Sequence, residues 1–158
     1  MSDSLLQRLE AESAIRRLVG LYCDAVNQCD ADAAGLLFAP DAAIRIADFP
    51  GISGADAIRE GMRQTFAHHA FLRQQCDVGL IDVDGDSAKA RLSVFEASHR
   101  AGEEGVSLIF GFYEDEYARL AEGWRFWRRR YVMQFRARVP VDKLQLVEGL
   151  NLGFDFAV

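Results

Sequence analysis

Val83-Asp84-Gly85-Asp86-Ser87-Ala88-Lys89-Ala90 decides the fold. Asp-Gly between two alternating runs is a strong hairpin signal, because a tight turn needs a positive φ near its centre. The stretch therefore predicts a strand over Phe71–Val83 and an antiparallel partner over Ser87–Arg100. Downstream the pattern repeats. Ala101-Gly102-Glu103-Glu104-Gly105 reads as a second turn and Val106–Leu120 as a third strand. Ala121-Glu122-Gly123 reads as a third turn and Trp124–Val139 as a fourth strand. Strands of about 12–16 residues exceed the usual length, which predicts bulges and a strongly curved sheet.

Upstream the period changes to that of a helix. Between Leu5 and Cys29, the residues Ile15, Leu18, Val19, Tyr22, Val26 and Cys29 recur at spacings of three and four. They form one apolar stripe of an amphipathic helix. Asp30 or Asp32 can cap a short second helix carrying Ala34, Leu36, Leu37 and Phe38, which Pro40 ends. Ala43–Ile46 reads as a short strand and residues 49–54 as a loop. Ser53 can cap a third helix running to about His69, with Ile58, Met62 and Phe66 on one face. Three helices before an antiparallel meander make an α+β layout. The helices are expected on the concave face of the sheet, leaving a conical cavity as the default small-molecule site.

The chain has 158 residues, 50% hydrophobic and 27% charged, which predicts one globular domain. That domain is expected over residues 1–139. Residues 140–158 form an apolar tail that could pack on a neighbouring subunit. The net charge of −6 argues against a nucleic-acid partner, which would need a cationic face. No apolar run approaches the roughly 20 residues of a membrane span. The polar start, Met1-Ser2-Asp3-Ser4, lacks the features of a secretory signal. The three cysteines, Cys23, Cys29 and Cys76, fit no metal or redox spacing and read as half-buried free thiols. A cytoplasmic location is the expectation.

Several stretches carry a family resemblance over roughly residues 10–137. They are Ile15-Arg16-Arg17-Leu18 through Tyr22 to Asp30, then Leu37-Phe38-Ala39-Pro40-Asp41-Ala42, then Ile52 to Ile58. The hairpin stretch follows, then Gly111-Phe112-Tyr113-Glu114-Asp115, Arg119 and Gly123-Trp124-Arg125. In order and spacing the chain resembles the SnoaL-like branch of the NTF2-like superfamily. That superfamily includes polyketide cyclases, scytalone dehydratase, bile-acid dehydratase and ketosteroid isomerase. The resemblance implies a cone-shaped sheet wrapped on three helices. It does not fix a reaction, because this fold hosts many. The family's dehydratases carry a Tyr on helix one, an Asp five residues later and a His on the strand before the hairpin. Those positions fall on Tyr22, Asn27 and Gln74. An alignment shifted by one or two residues would offer Asp24 or the pair His68-His69 instead. The late-strand Arg of the bile-acid branch falls on Arg129.

Strand alternation gives an independent reading of the site. Trp127, Arg129, Tyr131, Met133 and Phe135 share one parity, so Arg129 is expected to point inward among apolar groups. Trp124 and Phe126 fall on the opposite, convex face. A desolvated guanidinium requires a carboxylate or a bound anion. Arg129 is thus either a binder of substrate oxygen or half of an ion pair with a helix carboxylate such as Asp24. Gln74 lies in the apolar row of the first long strand, bonding a ligand carbonyl or a backbone group. Glu96 ends the corresponding row of the second strand. It is a general base with raised pKa, the partner of Arg129, or an exposed strand-end residue. His99 has the opposite parity and would need a bulge to turn inward. Tyr22 could donate to a developing oxyanion or bond a core neighbour. Phe110, Phe112, Trp127 and Tyr131 could form ring-sized walls.

Two functions are compatible with these residues. One is a cofactor-independent dehydratase, isomerase or cyclase acting on a small cyclic or aromatic hydroxy-ketone. The other is a non-catalytic ligand-binding or assembly module, similar to the small subunit of a ring-hydroxylating dioxygenase. The amides at Asn27 and Gln74, where the family carries Asp and His, favour the second. No nucleotide-binding glycine motif or metal motif occurs, so no cofactor is expected. A homo-oligomer, dimer or trimer, is expected through the convex face of the sheet.

Overall fold

The long curved sheet follows from the meander and from where its ladder slips. The computed structural model describes residues 2–47 and 49–140. The elements are α1 (Ser2–Asn27), α2 (Ala31–Gly35), β1 (Phe38–Ile46), β2 (Ile52–Ser53), α3 (Ala55–Phe66), β3 (His69–Asp84), β4 (Ser87–Arg100), β5 (Val106–Leu120) and β6 (Gly123–Val139). The six strands form one sheet in the order β2-β1-β6-β5-β4-β3. β3 to β6 pair antiparallel through successive hairpins, while β1 joins β6 in parallel. Gly85 takes the positive φ (58°) that the β3–β4 turn requires. The fold is α+β of the NTF2-like kind.

The stripe of α1 packs into the concave face. Ile15, Leu18, Val19, Tyr22 and Val26 are all buried. Tyr22 meets Phe38, Tyr113 and Phe126 edge-on, with ring centroids 5.5–6.2 Å apart. The side chains that line this face can be read as rows across the strands. One row runs Val78, Leu92, Tyr113, Tyr131; the next runs Ile81, Ala90, Asp115, Arg129, Ile44.

Three local expectations are corrected. The second helix stops at Gly35, and Phe38 already belongs to β1. Pro40 lies in a stretch of β1 where the ladder with β6 is interrupted between Phe38 and Ala43, so its missing N–H costs that ladder no pair. Asp30 does cap α2, accepting from the Ala33 N–H at 2.9 Å. Ser53 does not cap α3; it lies in β2, and Gly54, with φ of 91°, holds the cap position. α3 ends at Phe66, so His69 starts β3. The proposed tail lies, apart from Pro140, outside the described residues.

Two bulges in β6 correct the alternation. The β5–β6 register shifts once between Tyr117 and Glu116 and again between Phe110 and Gly111. Trp127 and Gln134 are the extra residues. Trp124 and Phe126 therefore turn into the core, 6% and 0% exposed, rather than onto the convex face. Trp127 leaves the concave row. Its indole Nε1–H reaches Asp41 Oδ2 at 3.2 Å and Arg128 stacks on its ring at 4.3 Å. Phe135 pairs with Phe110 on the outer face.

Gly111 sits at the second bulge, where a Cβ would run into the carbonyl oxygen of Val132. We expect Gly111→Ala to lower the unfolding free energy by about 1–3 kcal/mol, measured by urea denaturation, because the bulge must open to admit the methyl group.

Candidate functional site

The site starts from a charge that the sheet buries. Arg129 and Asp115 are cross-strand neighbours on β6 and β5, and each is 2% exposed. The guanidinium donates two parallel bonds, Nε to Oδ1 at 2.8 Å and Nη2 to Oδ2 at 2.6 Å. Tyr117 Oη donates a third to Oδ2 at 2.9 Å. The rings of Tyr22, Tyr113 and Phe126 enclose the guanidinium at 3.9–4.2 Å. Burial alone would lower the Arg129 pKa, but the Asp115 carboxylate outweighs it and holds the group well above its ordinary value. Arg129 does point inward. Its partner is Asp115, not Asp24 or Glu96. Asp24 instead accepts from Gln28 Nε2 at 2.7 Å on α1.

A second polar group lies at the other end of the concave face, with Gln74 at its centre. Its side-chain amide donates to Glu96 Oε2 at 3.0 Å and lies 3.1 Å from the Tyr113 hydroxyl. Cys76 Sγ lies 3.9 Å from Gln74 Oε1. Gln74 and Glu96 are directly opposed across β3 and β4. Asn27 holds the backbone of this position from α1. Its Nδ2 donates to the Gln74 carbonyl at 3.0 Å, and its Oδ1 accepts from the Gln74 N–H at 2.6 Å. Asn27 thus acts like one rung of an added strand. Burial raises the Glu96 pKa above the usual carboxylate range, and the Gln74 bond opposes that only in part.

Among the described residues, two buried polar atoms on the concave face have no hydrogen-bond partner, Arg129 Nη1 and Tyr131 Oη. Such atoms are rare in folded chains, because each loses its water without replacement. Burial raises the pKa of Tyr131, and the nearby Glu96 carboxylate raises it further, so the phenol keeps its proton. Tyr22, beside Tyr113 and Arg129, is also pushed up by burial.

The structure therefore brings together Tyr22, Gln74, Glu96, Arg129 and Tyr131, with Asn27 behind them. It does not bring in Asp24, His99, Phe112 or Trp127. His99 stays on the outer face, its Nδ1 3.0 Å from the Gly105 carbonyl, since no bulge turns it. Phe112 is also outward, beneath Arg91 at 5.3 Å. The sequence reading missed Asp115, Tyr113, Tyr117 and Cys76. The shared parity of Tyr113, Asp115 and Tyr117 was the available signal. A groove of about 870 Å³ runs between the outward Arg45, Lys89, Arg91, Glu114, Arg128 and Arg130, and Asp115 and Arg129 also line it. Glu114 there is paired, with Arg91 at 3.1 Å and Arg130 at 3.3 Å. The unpartnered buried groups lie on the concave side, so the chemistry is assigned there. Among the described residues no cluster of three His, Cys, Asp or Glu could hold a metal, and no helix is long and apolar enough to cross a membrane.

Removing one half of a buried pair leaves an uncompensated charge. Asp115→Ala should destabilise the fold by about 3–5 kcal/mol. Adding Arg129→Met to that variant should recover part of the loss, which a double-mutant cycle in urea would measure.

Comparison with known proteins agrees with this architecture. Uncharacterized proteins of Mycobacterium tuberculosis and Mycobacterium bovis are 30% identical over 117 residues, 73% of this chain and 80% of theirs. The solved hexachlorocyclohexane dehydrochlorinase LinA-type3 of Novosphingobium barchaimii superposes with a TM-score of 0.80 at 16% identity, covering 91% of this chain and 99% of that one. A proposed scytalone dehydratase of Novosphingobium aromaticivorans gives 0.76 at 20% identity, covering 92% and 100%. An NTF2-like protein of that organism, with a cystatin-like fold, gives 0.64 at 24%, covering 84% and 87%. The SnoaL-like domain family matches residues 7–130, and with these shared elements the chain belongs to that family.

Proposed function

We propose that the concave face binds a small cyclic or aromatic hydroxy-ketone and moves a proton on it without a cofactor, as a dehydratase or isomerase does. The observation that carries this reading is the pair of buried, unpartnered donors, Tyr131 Oη and Arg129 Nη1, on the same face as Glu96. A carbonyl oxygen is the natural acceptor for such donors, and they are most useful as that oxygen gains charge. Glu96, desolvated and held by Gln74, is the base. It takes the proton from the carbon next to the carbonyl. The electron pair moves onto the carbonyl oxygen as an enolate, which Tyr131 and Arg129 stabilise. Collapse of the enolate expels a β-hydroxyl as water, taking a proton from Glu96; alternatively, Glu96 returns the proton to a different carbon. The named activities of solved neighbours, dehydratase and dehydrochlorinase, are eliminations of this general kind.

A non-catalytic binding role is the second reading. It is favoured by the amides at Asn27 and Gln74, where the resemblance implies an acid–base pair. Assembly through the outer face is part of both readings. Phe110 and Phe135 stand 47% and 55% exposed there, and Phe110 packs between Phe135 and Phe95 with tilted rings.

A screen of small cyclic ketones for α-hydrogen exchange in heavy water, and of β-hydroxy-ketones for water loss, tests the reaction. Glu96→Gln should slow exchange by about 10²–10⁴-fold. Tyr131→Phe should slow it by about 10²-fold. The base works deprotonated, so the rate should rise with pH through a pKa above the ordinary carboxylate range and then level off. Ligand binding with no exchange at any pH would favour the second reading. In sedimentation, the wild type should run as a dimer or trimer and Phe110→Glu/Phe135→Glu as a smaller species.

A further inference from the structure

We propose that Cys23 and Cys76 form a reversible intramolecular disulfide on exposure to peroxide, making the seam between α1 and β3 an oxidation site. The seam fixes which residues meet. Asn27 on α1 clasps the backbone of Gln74 on β3. Farther back along α1, Arg16 Nη1 donates to the Val78 carbonyl at 2.8 Å. The helix and the strand thus run antiparallel past each other. Cys23 is one helical turn before Asn27, about 6 Å along the axis. Cys76 is two residues beyond Gln74 on the same face, about 7 Å along the strand. Both side chains pack against the core at this level, and each thiol shifts the pKa of the other. Both cysteines are half-buried rather than sealed. Closing the bond brings the sulfurs to about 2.05 Å.

The chemistry balances with hydrogen peroxide as the oxidant. The Cys23 thiolate attacks one peroxide oxygen, the O–O bond breaks, and hydroxide leaves. Cys76, once deprotonated by that hydroxide, attacks the sulfur of the resulting sulfenic acid. The S–S bond forms and a second hydroxide leaves, taking up the Cys23 thiol's proton as water. The neighbouring Cys76 thiol lowers the Cys23 pKa, while Cys23 and burial push Cys76 up, which casts Cys23 as the attacker. Cys29 is separate. It lies beyond the end of α1, and burial pushes its thiol up. Oxidation also reaches the site. The Cys76 thiol that contacts Gln74 Oε1 is lost, and Gln74 holds Glu96. That consequence rests on the reaction proposed above, whereas the disulfide does not.

The test uses the full chain with hydrogen peroxide and needs no substrate, so its failure is distinct from a failure to find turnover. Free thiols counted after denaturation should fall from three to one and return with dithiothreitol. A non-reducing peptide map should link the Cys23 and Cys76 peptides within one chain. Cys29→Ser should still lose two thiols. Cys76→Ala should accumulate a sulfenic acid at Cys23 that dimedone traps. Persistence of all three thiols, over-oxidation of each without a link, a link through Cys29, or a link between chains would overturn the proposal. A dimedone adduct on Cys29 alone would overturn the choice of Cys23 as attacker.

Discussion

The buried Arg129–Asp115 pair is the constraint on which the rest of the structure depends. A guanidinium with no water must be neutralised and packed, and here only its Nη1 is left unbonded among the described residues. Asp115 and Tyr117 do the first, and the rings of Tyr22, Tyr113 and Phe126 do the second. The six groups come from three elements. α1 supplies Tyr22, β5 supplies Tyr113, Asp115 and Tyr117, and β6 supplies Arg129 and Phe126. Helix and sheet are thereby locked at one depth. The charge also explains the bulge at Trp127. With an unbroken ladder from the third turn, Arg129 would face Glu114, which points outward; the extra residue brings it opposite Asp115.

Beside this rigid cage, Gln74 organises a softer set of groups. It is fixed at its backbone by Asn27 and spends its side-chain amide on Glu96 and Tyr113. An amide does not titrate near neutral pH, so it can hold a carboxylate without competing for its proton. The carboxylate is shifted by burial more than by its partner. A group so placed keeps the shift even if the ligand changes, because the walls rather than the substrate produce it. Met133, at the open end of the face and 36% exposed, can adapt to a ligand as a branched side chain could not.

Much of the fold was legible because its signals are local. The Asp-Gly turn, the glycine-bearing turns that follow and the helical stripe of α1 each declare themselves within a few residues. The inward direction of Arg129 was legible from parity because it sits beside Tyr131, beyond the bulge. The directions of Trp127, Trp124 and Phe126 were not. A bulge has no compositional mark in a run such as Trp124–Tyr131, where aromatic and arginine side chains suit either face. Pro40 and Ser53 misled for a related reason. Both are good helix punctuation, and tertiary pairing of β1 overrode them. Asp115 was missed because the partner was sought on α1 and β4, and a count across the β5–β6 turn would itself be shifted by one residue by the bulge at Trp127.

The parallel pairing of β1 with β6 has a consequence for how the chain reaches this state. β3 to β6 can assemble by adding one hairpin at a time, each from neighbouring sequence. β1 cannot join them until the last strand exists, because Phe38 is aligned with Phe126 and Ile44 with Arg129. On a ribosome, which delivers the N-terminus first, α1, α2 and β1 emerge with their apolar sides uncovered and wait for nearly the whole domain. The cage around Arg129 closes only when both ends of the chain meet. Interrupted synthesis would therefore release not a smaller version of this domain but a helix and a strand with nothing to bury them.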